Sequence, residues 1–176
     1  MNLYVVRHGQ TDWNIKGILQ GSTDIPLNDT GIQQAEQLSK TLENIDFDLV
    51  LCSPLSRAIK TAEIVKADRN IPIIINEKLT ERFHGDIEGT SPKDIKKYWD
   101  YHANTSDDNI EPVQSFLNRI FSFMDELKEK YKDKDVLVVT HCGVMVAIDC
   151  YVNGFRDNYD FLHYQFDNGK YVKYII

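Results

Sequence analysis

The chain has 176 residues and a mass of 20.4 kDa, with 42% hydrophobic and 27% charged residues. This is the ordinary range for a globular chain with room for a sizeable core, and it excludes collagen-like, mucin-like and disordered classes. Lys and Arg number 20 against 27 for Asp and Glu, a formal net charge of −7 with no basic block, so binding to nucleic acid by phosphate neutralisation is not expected.

The opening MNLYVVRHGQ reaches Arg7 and His8 after a few apolar residues, too short a run for a secretory leader or a membrane span. A soluble, cytoplasmic protein without a membrane partner is the expectation. The three cysteines, Cys52, Cys142 and Cys150, are odd in number and not spaced as metal ligands, so reduced thiols are expected, with no disulfide framework and no metal. No internal repeat or low-complexity stretch is visible.

In chain order, the run over 3–6 is short, continuous and β-branched, as in a strand buried on both sides. Over 30–42, Ile32, Ala35, Leu38 and Leu42 recur at helical spacing behind an Asn-Asp-Thr-Gly opening. The run 49–52 reads as a second buried strand, and Ser53-Pro54 as a helix start with Pro in the first turn, continued by Ala58, Ala62 and Val65. A third short run over 71–75 contains Pro72 and is placed near a sheet edge. Residues 90–111 are polar and hold Trp99, a segment read as a cap. Residues 116–131 have a long amphipathic helical pattern. The clearest strand, 136–140, runs into His141-Cys142-Gly143 and a second apolar helix. A C-terminal hairpin is expected from arms at 163–166 and 170–175 around Asn168-Gly169. Alternating strands and helices predict an α/β fold: a three-layer α/β/α sandwich, its central sheet mostly parallel with an antiparallel edge. The expected organisation is one domain, 1–176, with the short cap.

Ligands of open α/β sheets gather at the carboxyl ends of the strands. Three such ends carry Arg7-His8-Gly9, the Ser53-Pro54 approach to Arg57, and His141. An acidic protein that brings two histidines and two arginines to one edge is suited to an anion there, and guanidinium forks favour phosphate. Taken singly, each residue has a plainer explanation. Arg57 reads as a solvated helix residue and Glu81 as a loop charge paired with Arg82. Asp86 and Glu88 read as surface loop charges, and Lys93, Lys96 and Lys97 as a solvated helix face.

The stretch Val5-Val6-Arg7-His8-Gly9-Gln10-Thr11-Asp12-Trp13-Asn14 resembles the signature of the histidine phosphatase superfamily, whose fold is phosphoglycerate-mutase-like. The resemblance continues through Gln20-Gly21-Ser22-Thr23-Asp24-Ile25-Pro26-Leu27, Gly31 and Gln34-Ala35. Further matches are Ser53-Pro54-Leu55-Ser56-Arg57-Ala58 with Thr61-Ala62, then Leu79-Thr80-Glu81 with Gly85 and Glu88-Gly89, then Glu111 and Arg119, and finally Val138-Val139-Thr140-His141. Ordered blocks over nearly the whole chain make it specific where a lone RHG triplet would not be.

The resemblance implies that His8 is a nucleophile forming a phosphohistidine, with Arg7, Arg57, His141 and Asn14 gripping the phosphoryl oxygens and Glu81 as general acid and base. Gln20 and Gly21 become substrate-side contacts, Arg82 a group that could hold a substrate carboxylate, and Cys142 a backbone donor. The partner is a small phosphorylated substrate, with no cofactor and no metal. The sequence departs from the family at Cys142, where a small residue is usual, and at Ile110-Glu111-Pro112, where Gly-Glu-Ser is frequent. His84 stands where the mutases have Tyr. The short 90–110 stretch lacks the long basic insertion of cofactor-dependent phosphoglycerate mutases, which points to a phosphatase. The compact length and short cap resemble both the α-ribazole phosphatase type and the broad-specificity phosphomonoesterases, and the sequence does not choose between them. The competing readings are such a mutase, a protein-phosphohistidine phosphatase and a non-catalytic phosphate-binding module. Oligomeric state is not legible.

Overall fold

The computed structural model describes residues 1–102, 109–155, 161 and 166–176. Strand β1 (Asn2–Arg7) is followed by the one-turn helix α1 (Asp12–Ile15), helix α2 (Asp29–Thr41), strand β2 (Leu49–Cys52) and helix α3 (Ser56–Lys66). After strand β3 (Ile73–Ile75) the chain passes through single 3₁₀ turns at Glu77–Leu79, Gly85–Ile87 and Lys96–Trp99. Helix α4 (Val113–Tyr131), strand β4 (Asp135–Thr140), helix α5 (Cys142–Asn153) and strand β5 (Tyr171–Ile175) complete it.

The strands form one sheet in the order β3-β2-β4-β1-β5. β4 runs parallel to both β1 and β2, and β2 parallel to β3, whereas β5 is antiparallel to β1. Alternation along the strands explains the layers, because successive side chains point to opposite faces. Leu3 and Val5 of β1, with Leu49, Leu51, Val136 and Val138, pack under α4 and α5, where Phe116, Ile120, Met124 and Ile148 are buried. Tyr4 and Val6, with Val50, Leu137 and Val139, pack under α2 and α3 against Leu38, Leu42, Ala58 and Ala62. Truncating a fully buried residue such as Ile120 to Ala should cost roughly 2–5 kcal/mol. The sandwich and its antiparallel edge are as the sequence predicts.

Local differences have identifiable causes. Pro54 lies ahead of α3, whose N-cap is Leu55, rather than inside the first turn. Helix α4 begins earlier than its apolar pattern, because Pro112 takes the N-cap position and Val113 turns its side chain into the core. Helix α1 has no apolar periodicity to betray it. It is held by a capping box in which the Asn14 amide donates to Thr11 Oγ1 and the Thr11 amide donates to Asn14 Oδ1. Of the expected hairpin, 163–165 lie outside the described residues and Phe166 is not in a strand. β5 pairs with β1, and the Asn168-Gly169 turn delivers the Asn168 side-chain amide onto the His8 carbonyl at 3.0 Å.

Candidate active site

Parallel register makes neighbours of residues far apart in sequence. Arg7 pairs with Thr140 across β1 and β4, and Cys52 with Val139 across β2 and β4, so the residues just past these ends share one edge. The crossing backbone bonds fix the junction: the His8 amide donates to the Thr140 carbonyl at 2.9 Å and the Ser53 amide to the Val139 carbonyl at 3.0 Å.

At that edge lies a cavity of about 250 Å³, lined by Arg7, His8, Asn14, Gln20, Gly21, Arg57, Glu81 and Cys142 among others. The His8 ring is 3% exposed, and its Nδ1 lies 2.7 Å from the Gly9 carbonyl oxygen. A carbonyl can only accept, so Nδ1 carries the proton and Nε2 keeps its lone pair. Burial, then the Arg57 and Arg7 charges, push the His8 pKa well below the usual imidazole value. The His141 ring packs beside it with centroids 5.2 Å apart, behind the cavity surface rather than on it. His141 Nε2 is 2.7 Å from Ser53 Oγ, and Nδ1 is buried without a hydrogen-bond partner among the described residues. Burial first, then Arg57 and the His8 ring, keep His141 neutral as well.

Arg57 is almost fully buried, on the first turn of α3. Its Nη1 and Nη2 each donate at 2.7 Å, to the Thr23 and Gly21 carbonyls, which leaves three of its five N–H groups for an anion. Burial lowers its pKa to about 10 against the pull of Glu81, Asp24 and Glu88, so it stays charged at neutral pH. Arg7 donates through Nη1 to the Phe166 carbonyl. Among the described residues neither arginine is in a salt bridge with a carboxylate. Two cations braced by neutral carbonyls keep their charge available to a ligand.

Glu81 Oε1 accepts from the Arg82 amide and Oε2 from the Gly143 amide, both at 2.9 Å. Burial raises its pKa, opposed by those two amides and by Arg57 and Arg7. The Gly143 contact requires glycine, because a Cβ there would lie 2.4 Å from Glu81 Oε1. The loop bearing Glu81 is gripped from α4: Arg119 Nη1 donates to the Lys78 and Thr80 carbonyls, while its Nε and Nη2 hold both oxygens of Glu111.

Glu88 corrects the surface-charge reading. Its carboxylate accepts from the amides of Ser22, Thr23 and His84, each at 2.9 Å, and from the Thr23 hydroxyl, and so shapes the loop that holds Arg57. Gly21 sits in that loop at φ +53, and a Cβ on it would lie 2.0 Å from Glu88 Oε1. Gln20 is turned inward, its Oε1 accepting from Thr11 Oγ1 at 3.0 Å. Asn14 lines the cavity, with Oδ1 already engaged by the Thr11 amide.

Arg82 is also corrected. Its side chain is fully buried and off the cavity surface, with Nε donating to the Glu111 carbonyl and Nη1 to the Tyr98 carbonyl. The guanidinium lies 4.8 Å from the Trp99 ring, which covers it. Its Nη2 has no partner among the described residues, but a carboxylate in the cavity is kept from it because the whole side chain is buried off the cavity surface. Trp99, His84 and Ser53 are site residues that sequence reasoning gave no role. Trp99 and His84 line the cavity, and Ser53 bonds His141. Their signal was only position, a residue within a matched block or an aromatic in a polar segment. Cys142 opens α5 at the cavity, where burial raises its thiol pKa and makes it a poor nucleophile.

An α/β/α sandwich that sets two neutral histidines, two carbonyl-braced arginines and a carboxyl group with raised pKa around one cavity is built for handling a phosphoryl group. The family profile of the histidine phosphatase superfamily (branch 1) matches residues 3–175, and the chain belongs to that family. It is 37% identical over 156 residues to the adenosylcobalamin/alpha-ribazole phosphatase of Escherichia coli, spanning 82% of this chain and 75% of that protein. It is 34% identical over 150 residues to the uncharacterized phosphatase PhoE of Bacillus subtilis, spanning 85% and 76%. The crystal structure of the alpha-ribazole phosphatase from Shigella flexneri superposes with a TM-score of 0.86 at 33% identity, covering 98% of this chain and 89% of that one. The protein is thus a phosphatase of this superfamily. No helix among the described residues is long and apolar enough to cross a membrane.

Proposed function

We propose that the protein hydrolyses a small phosphomonoester through a phosphohistidine on His8, without a metal ion. The observation that carries this reading is the Nδ1 contact to the Gly9 carbonyl, which leaves the Nε2 lone pair for attack beside Arg7 and Arg57. In the first step Nε2 attacks phosphorus and the ester P–O bond breaks. The leaving oxygen takes its proton from Glu81, whose raised pKa favours the protonated form. In the second step water attacks phosphorus and gives its proton to the Glu81 carboxylate. The P–N bond breaks, its electron pair returns to Nε2, and inorganic phosphate leaves.

Arg7 and Arg57 neutralise the phosphoryl oxygens through both steps. If the Ser53 hydroxyl, 2.7 Å from His141 Nε2, donates there, the His141 proton sits on Nδ1, which is buried without a partner among the described residues, and His141 supports the His8 ring from behind the cavity surface. Asn14, Gln20, Gly21 and the Cys142 amide serve as nearby contacts. The chain is read as one catalytic domain, 1–176, with 90–111 as its cap, acting in the cytoplasm, where the Cys52 and Cys142 thiols would stay reduced. Because Arg82 is not free to hold a substrate carboxylate, hydrolysis is favoured over phosphoglycerate mutase activity. Rapid-quench peptide mapping should find an acid-labile phosphate on His8, with turnover unchanged in EDTA. Phosphate on any other residue, or activity abolished by EDTA and restored by Mg²⁺ or Zn²⁺, would sink the mechanism.

A further inference from the structure

The cavity extends beyond the space a phosphoryl group needs, and its two halves differ in chemistry. Both guanidinium groups on its surface, Arg7 and Arg57, stand at the phosphoryl end; no other lysine or arginine is among the described residues that line it. Ile18, Leu19, Ile95, Trp99, Val146 and Phe161 form the apolar wall of the lining, which also includes the polar Asn14, Gln20, Glu81 and His84. Resting on the phosphatase reading above, we infer that this wall selects uncharged, largely apolar alcohols as leaving groups, an aromatic ring above all, and rejects alcohols that carry a carboxylate.

Three further features support the selection. The Arg82 guanidinium, 4.8 Å from the Trp99 ring, is held by the Tyr98 and Glu111 carbonyls beneath it. His84 is 2% exposed beside the Trp99 ring, and burial together with the Arg82 charge lowers its pKa to about 4, so it brings no positive charge at neutral pH. Glu81 borders the same space and repels an anion once it is ionised. Among the described residues no cation faces these side chains, so a carboxylate placed there would give up its water without a charge partner from them, which is a costly exchange. A planar ring would instead stack against Trp99 and Phe161, whose own rings lie 6.2 Å apart.

Benzyl phosphate, glycerol 3-phosphate and 3-phosphoglycerate all leave as primary alkoxides, so their comparison reads the wall rather than leaving-group basicity. For the wild type, kcat/KM for benzyl phosphate should exceed that for glycerol 3-phosphate by about tenfold and that for 3-phosphoglycerate by about a hundredfold. Calorimetric titration of His8→Ala with benzyl phosphate and 3-phosphoglycerate should show the same order with no turnover. Trp99→Ala should shrink the benzyl preference about tenfold, through KM rather than kcat. Ile95→Ala, a milder change in the same wall, should shrink it less and guards against a folding defect. 3-Phosphoglycerate bound or hydrolysed as well as benzyl phosphate, or both variants keeping the wild-type ratio, would overturn the inference. Benzyl phosphate bound in preference but never hydrolysed in a His8-dependent way would instead overturn the phosphatase reading and leave the wall standing.

Discussion

The two ends of the cavity are held in different ways. At the phosphoryl end, His8 and His141 follow directly from adjacent parallel strands, and Arg57 sits on the first turn of α3 just past a third. Their spacing is set by sheet geometry and backs onto fully buried Val5, Val6, Val138 and Val139. At the leaving-group end no strand contributes. Glu81, His84 and Trp99 come from loops and single 3₁₀ turns, held by side chains that cross between segments: Arg82 to Tyr98 and Glu111, Arg119 to Lys78 and Thr80, and Glu88 to Ser22, Thr23 and His84. The difference teaches that the proposed phosphoryl chemistry rests on the rigid scaffold and the proposed substrate selection on parts that a few substitutions can change.

Substitutions at the two ends should therefore fail differently. The largest effect is expected at the rigid end: His8→Ala should lower kcat by about 10³-fold or more with little change in Tm, because it removes the proposed nucleophile. Next, Glu81→Gln should slow alkyl phosphates about a hundredfold and p-nitrophenyl phosphate much less, because a good leaving group needs little protonation. Equal losses would make Glu81 structural and erase the distinction between the two ends. Glu88→Ala should act on the loops, raising KM about tenfold and lowering stability by about 1–3 kcal/mol, because buried amides of Ser22, Thr23 and His84 lose their acceptor. A Glu88 variant with wild-type Tm and KM would show that the loops hold themselves.

The smallest effect is expected from pH. His8, His84 and His141 all have folded pKa values below the unfolded value of about 6.5. The unfolded chain thus binds more protons in acid. The stability these neutral rings allow is fully present above pH 6.5 and declines as pH falls toward their folded values, so Tm should drop across that window. Glu81 acts in the opposite sense. Its raised pKa means the folded state holds a proton longer, and it costs stability as pH rises from about 4.5 through its folded value. The acid limb of kcat/KM should lie below pH 6.5, where His8 becomes protonated. A limb centred at 6.5 would mean that burial and the arginines do not depress it.

The sheet and the strand-end residues were legible in the sequence because their signals are local. The short apolar run at 49–52 is the observed β2, and Pro72 marks β3 as an edge strand. Arg7, His8, Arg57 and His141 stand out because parallel pairing brings any such strand ends together. Glu88, Arg82 and Ser53 were misread or passed over because their roles depend on partners such as Ser22, Tyr98 and His141, 16 to 88 residues away, that no periodicity encodes. Nothing in Glu-Arg at 81–82 says that one side chain turns to the cavity and the next into the core beneath Trp99.

By itself, then, the sequence determined the α/β sandwich and the family, and named the residues proposed to meet a phosphoryl group, because strand alternation and strand-end chemistry are written in neighbouring residues. Only the tertiary structure decided which charges remain available to a ligand. The Arg57 and Arg82 guanidiniums each donate to two backbone carbonyls, but Arg57 lines the cavity while Arg82 is buried off its surface beside Trp99, an outcome set by where the folded loops place each side chain.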